Sequence, residues 1–121
     1  MSAEVILAQI SDTHVRVDDD GASLRQLTRA LEQARDYRAN VVLLTGDLVN
    51  DEKPQEYAAL AAALRQAHAP LYLFPGNHDD RAHIRAHFPD HSYLPAKGPL
   101  SFAVEDFPVR IVCVDQIVPG E

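Results

Sequence analysis

Asn40-Val41-Val42-Leu43-Leu44-Thr45-Gly46-Asp47 is the stretch on which the fold turns. Val41 to Leu44 is aliphatic without alternation, so a strand of this composition has to be covered on both faces, as the interior strands of a parallel sheet are. Gly46 ends the run. Asp47 then stands at the carboxyl rim of the strand, where open α/β sheets bind ligands.

The same design recurs on either side. Val5 to Ile10 reads as a buried strand that stops in Ser11-Asp12-Thr13-His14, and Leu71 to Phe74 as another that Pro75-Gly76 turns into Asn77-His78-Asp79-Asp80. Between the first two strands, Leu24, Leu27, Leu31 and Ala34 repeat at helical spacing, which predicts a helix from Ser23, capped by that serine, to about Ala39. Between the second and third, Pro54 suits the first turn of a helix whose apolar face is Tyr57, Leu60, Ala61 and Leu64, until Pro70 forces extension. Strand and helix in alternation imply right-handed crossovers and a parallel sheet. A short helix is expected over Arg81 to Phe88. Beyond the loop marked by Pro89, Pro95, Gly98 and Pro99, Leu100 to Val104 and Val109 to Asp115 read as an antiparallel pair. The class is α/β, with no linker or repeat dividing residues 1–121.

At 121 residues and 46% hydrophobic, the chain can bury one modest core. A formal charge of -7 with eleven scattered basic residues argues against a nucleic-acid or anionic-membrane surface, which needs clustered Lys and Arg. Acidic excess fits a site neutralised by bound cations, and equally a solvated acidic surface. Cys113 is the sole cysteine, which excludes an internal disulfide and favours a reducing, cytoplasmic setting; among Ile111, Val112 and Val114 it reads as a buried, inert thiol. No export signal or membrane span is read from the sequence.

Three strand ends carrying metal-binding or phosphate-facing groups suggest one shared site. Asp12 and His14 lie two residues apart, so an extended segment would project both to one side and let them grip one cation. With Asp47 and the neutral amide of Asn77 they make a mixed oxygen and nitrogen set, suited to Mn, Fe, Zn or Co rather than to calcium or a thiolate-bound zinc. His78 would reach over the metals toward the substrate. Other candidates are weaker. Asp18-Asp19-Asp20-Gly21 lacks the spacing of a calcium loop and reads as a helix lead-in. His68 reads as a surface histidine near a helix end. His83 and His87, four apart, read as a solvated face in preference to a zinc pair. His91 has no nameable partner, and Asp115 is open between a turn residue and a role in the site.

Taken in order, Ile10-Ser11-Asp12-Thr13-His14, Gly46-Asp47-Leu48-Val49-Asn50 and Pro75-Gly76-Asn77-His78-Asp79 resemble the Asp-x-His, Gly-Asp and Gly-Asn-His-Asp/Glu blocks of the calcineurin-like metallophosphoesterases. Asn50, Pro54 to Tyr57, Pro70 to Leu73 and Asp79-Asp80 are similar to the bacterial cyclic nucleotide phosphodiesterase and glycerophosphodiesterase branch. The resemblance implies an αββα sandwich with a mostly parallel first sheet, two divalent metal ions and hydrolysis of a small-molecule phosphodiester by a metal hydroxide. On that implication Asp12 and His14 hold the first metal, Asp47 bridges, Asn77 holds the second and binds substrate, and His78 contacts the phosphate or assists the leaving group.

The family also supplies a His-His pair and a Gly-His-x-His block, and this sequence has neither. The expectation is therefore the N-terminal half of such an enzyme, incomplete as a domain, weakly active or inactive, with a sheet face and edge uncovered. A second reading is a non-catalytic binding module that pairs with itself, as a homo-oligomer, or with another chain. A small receiver domain would give no reason for His14 and His78.

Overall fold

The computed structural model describes residues 4–76 and 79–115. Three strands, β1 (Leu7–Ser11), β2 (Val41–Thr45) and β3 (Leu71–Phe74), form a parallel sheet in the order β1-β2-β3. Helices α1 (Ala22–Asp36) and α2 (Pro54–Leu64) connect them, and α3 (Arg81–His87) follows. A separate antiparallel pair, β4 (Phe102–Val104) and β5 (Ile111–Cys113), completes the described chain. Both strands of this pair are shorter than the sequence predicts.

The unbroken aliphatic run of β2 is explained by what covers it. Val42 and Leu44 pack with Leu27 and Leu31 of α1, Tyr57 and Leu60 of α2 and Ile84 of α3. Val41 and Leu43 point the other way, into a second cluster with Val104, Ile111 and Cys113 of the antiparallel pair. The layers are thus helices, parallel sheet and second sheet, a mixed α/β arrangement with the parallel first sheet that the sequence predicts. Each fully buried aliphatic side chain of these layers contributes about 1.5 to 3 kcal/mol of transfer free energy.

Helix α1 starts one residue before the expected cap. Ser23 lies inside it, where its Oγ accepts from the Arg16 amide, and the capping acceptor is Asp19, whose Oδ2 takes the Ser23 amide at 3.0 Å. The Ser23 amide and hydroxyl hold the Asp19 carboxyl below the usual carboxylate range. The helix stops short of Ala39 because Arg38 turns left-handed (φ 58°). Asp80 caps α3 by accepting from the His83 amide.

Burial also finds residues the periodicity did not. Glu56 is buried on α2, with Oε1 accepting from the Asp51 and Lys53 amides and so fixing the turn that enters the helix. The outer edge of β3 is met by Tyr93, whose hydroxyl accepts from the Leu73 amide at 2.9 Å while its ring packs on Phe102 and Tyr72. His91 joins it through Nδ1, 2.6 Å from the Tyr93 hydroxyl oxygen. On β1, by contrast, Leu7, Gln9 and Ser11 are exposed at alternate positions. No helix among the described residues is long and apolar enough to cross a membrane.

Candidate metal centre

The carboxyl ends of β1 and β2 do not simply fray. Asp12 donates its amide to the Gly46 carbonyl, His14 to that of Asp47 and Val15 to that of Leu48, at 3.2, 3.0 and 2.9 Å. The Thr13 hydroxyl donates to the same Leu48 carbonyl, and a parallel bridge between the fully buried Val15 and Val49 closes the seam. The two turns are therefore fastened to each other before any ligand binds.

Within this seam Asp12, His14 and Asp47 have positive φ, 54°, 42° and 48°. This corrects the expected extended geometry: Asp12 and His14 converge because the backbone turns left-handed at both, not because alternate strand positions face one side. Left-handed non-glycine residues are uncommon, and such backbone is a recurrent feature of functional sites.

The three side chains meet. One ligand atom of each lies within 4.8 Å of the other two. His14 Nε2 is 3.7 Å from Asp12 Oδ1 and 3.8 Å from Asp47 Oδ2, and the side chains are 36%, 64% and 21% exposed in the order His14, Asp12, Asp47. Donors bound at about 2.1 Å to a tetrahedral cation stand about 3.4 Å apart, so the two His14–carboxylate separations need to close by only a few tenths of an ångström, whereas the whole set, within 4.8 Å, closes by up to about 1.4 Å around a divalent transition metal. Two carboxylates and an imidazole open to solvent are also the right chemistry for it. Asn77 and His78, the remaining predicted site residues, lie outside the described residues.

A further carboxylate secures the site from below. Asp79 is 3% exposed, and its oxygens accept from the amides of Leu48, Val49 and Gly76 at 2.7 to 3.1 Å. Burial pushes its carboxyl up to about 6, against the opposing effect of those amide donors. Next along the chain, the Asp80 amide donates to the hydroxyl of the buried Tyr57 at 2.6 Å. Arg81 then pairs through Nε with Asp115 at 2.6 Å. The residues that flank positions 77 and 78 are thus tied to the β2 turn, to α2 and to the second sheet.

Several sequence expectations change here. Asp115 is more than a turn residue: its side chain is fully buried, accepting from Arg81 and from the Leu100 amide. His83 and His87 are not a fully solvated face: both are half-buried, and both rings stack on Tyr57 with centroids 5.5 and 5.8 Å away. His68 is an exposed residue whose Nε2 meets the Ala39 carbonyl. A cavity of about 610 Å³ lies between α2 and α3, bordered by Leu64, Arg65, His87 and Phe88, and shares no residue with Asp12, His14 or Asp47. It is apart from the chemistry.

Residues 6–117 match the family model for calcineurin-like phosphoesterases. The chain belongs to the calcineurin-like phosphoesterase family. It is 32% identical over 128 residues to a glycerophosphodiester phosphodiesterase of Enterobacter lignolyticus, covering 96% of this chain and 45% of that relative. It is 30% identical over 125 residues to a 3',5'-cyclic adenosine monophosphate phosphodiesterase of Pseudomonas aeruginosa (98% and 44%). A cAMP/cGMP dual specificity phosphodiesterase of Mycobacterium tuberculosis is 32% identical over 130 residues (97% and 40%). The chain therefore spans less than half the length of these curated relatives. Calcineurin-like phosphoesterases use divalent metals, and Asp12, His14 and Asp47 form a group able to hold one.

Proposed function

We propose that this chain is the N-terminal part of a metal-dependent phosphodiesterase acting on a 3',5'-cyclic nucleotide or a glycerophosphodiester. The observation that carries the reading is the convergence of Asp12, His14 and Asp47 at two strand ends fastened together by backbone hydrogen bonds. Relatives named for both substrate types support the class and leave the choice between them to experiment.

In this reading Asp12, His14 and Asp47 would hold a divalent ion (Mn, Fe, Zn or Co), and Asp47 with the amide oxygen of Asn77 would serve a second. Bound cations supply Lewis acidity, acidifying water and neutralising non-bridging phosphate oxygens. His78 contacts the phosphate and donates a ring-nitrogen proton to the leaving oxygen, a role that contributes about two to four powers of ten. Asp47 and Asn77 alone are a sparse set for the second ion, so the chain by itself is expected to turn over slowly or not at all. Residues 1–121 are then part of a domain, in keeping with the 45% coverage of the relative from Enterobacter lignolyticus.

The test is hydrolysis of bis(p-nitrophenyl) phosphate, 3',5'-cyclic AMP and a glycerophosphodiester with and without Mn²⁺. Any turnover should require the metal and disappear in Asp47→Ala. Turnover that survives chelation or that substitution contradicts the reading. The uncovered Leu7 (41% exposed) and Val112 (63%) favour one other reading, a self-associating module without catalysis. A stable dimer by size-exclusion mass, free of bound metal and unable to take up Mn²⁺, would select it.

A further inference from the structure

We infer that Asp79 is a positioning residue for Asp47, setting the geometry of a cation ligand it does not itself accompany. The inference rests on the reading of Asp47 as a ligand. Burying a carboxylate away from any cation is costly unless its lone pairs are filled, and among the described residues no Lys, Arg or His pairs with Asp79. Its partners are backbone amides from two different turns. Oδ1 accepts from Leu48 and Val49 at 2.9 and 3.1 Å, and Oδ2 accepts from Leu48 and Gly76 at 3.0 and 2.7 Å. Leu48 and Val49 are the two residues directly after Asp47, so these bonds fix the chain leaving its left-handed conformation (φ 48°). Gly76 forms the wall against which the Asp47 carboxylate rests, and the same side chain holds that wall in place. A neutral asparagine has one acceptor oxygen; set in place of Oδ2 it would keep Leu48 and Gly76 but turn its NH₂ donors toward the Leu48 and Val49 amides, which are donors themselves. The requirement is for a carboxylate.

Glu56 provides an internal control. It is equally buried, at 1% exposure, and its Oε1 likewise accepts from backbone amides, but those belong to Asp51 and Lys53, beyond the ligand turn. Removing either carboxylate should lower the melting temperature, whereas only one should disturb the metal site.

The experiment is calorimetric titration of the chain with Mn²⁺, alongside thermal melting, for the wild type, Asp79→Asn and Glu56→Gln. Asp79→Asn should weaken Mn²⁺ binding about ten- to a hundred-fold, the usual consequence of losing an outer-shell partner of a ligand, with Glu56→Gln within about twofold of wild type. Equal affinities for Asp79→Asn and wild type, or equal losses in both variants, would overturn the inference. Should Asp79→Asn fail to fold, Asp79→Glu, which keeps charge and acceptors but shifts them by a methylene, takes its place. An affinity loss of about threefold or more then supports the inference and an unchanged affinity overturns it. A wild-type chain with no saturable Mn²⁺ binding would instead sink the underlying metal reading.

Discussion

Gly76 lies so close to Asp47 that a β-carbon built on it would stand 2.5 Å from the Asp47 backbone nitrogen and 2.5 Å from its Oδ1. The turn after β3 can approach the end of β2 only because that carbon is absent. Gly76→Ala should therefore push the Asp47 carboxylate out of register with His14 and cost about 1 to 3 kcal/mol, as overpacking does elsewhere. Urea unfolding reads the cost. An unchanged midpoint would mean that the two turns yield without strain.

The Arg81–Asp115 pair joins the start of α3 to the end of the second sheet, with side-chain exposures of 19% and 0%. Asp115→Ala removes a buried carboxylate that accepts from both Arg81 and the Leu100 amide, for which a loss of about 1 to 3 kcal/mol is expected. Replacing both, as Arg81→Met with Asp115→Leu, should recover much of that loss. Failure of the double variant to melt higher than Asp115→Ala would show that the pair's charge is not what makes the single change costly.

Tyr57 serves two sets of neighbours at once, its hydroxyl accepting from the Asp80 amide and its ring packing against those of His83 and His87, which are themselves 6.0 Å apart. Tyr57→Phe keeps the ring and removes the acceptor. The expected cost is about 1 to 3 kcal/mol, that of a buried amide left unsatisfied. Amide hydrogen exchange locates it, with Asp80 protection lost and that of Leu60 in mid-α2 retained.

The strand ends were legible because a parallel sheet writes itself as unbroken aliphatic runs, and each run here stops in a polar block. Asp12, His14 and Asp47 were legible for the same reason. What brings them together was not. The left-handed backbone at all three has no sequence signature of the kind glycine gives, and the extended reading of Asp12-Thr13-His14 followed the strand pattern too far. Nor could periodicity reveal the buried carboxylates. Asp79 and Asp115 answer to backbone amides brought near by the fold, up to 31 residues away in the case of Asp79 and Leu48, while Glu56 closes the local turn into α2. The His83/His87 spacing likewise gave no hint of Tyr57, which comes from a different helix.

Cys113 faces the second core cluster and is 2% exposed, and burial pushes its thiol up to about 11. At pH 8 only about one thiol in a thousand would be ionised. A disulfide reagent such as dithionitrobenzoate should leave the native chain unlabelled and react at once in guanidinium chloride. Rapid labelling of the native protein would place this residue at the surface instead.

In the proposed function Asp12, His14 and Asp47 make one cation site. Nuclear magnetic resonance during substoichiometric addition of Mn²⁺ tests it most directly, because the paramagnetic ion broadens the amides nearest to it. The amides of Asp12, His14 and Asp47 are predicted to broaden first and together, and in Asp47→Ala those of Asp12 and His14 should stay sharp. Earlier broadening around Asp18 to Asp20, or equal broadening of every exposed acidic residue, would contradict the account.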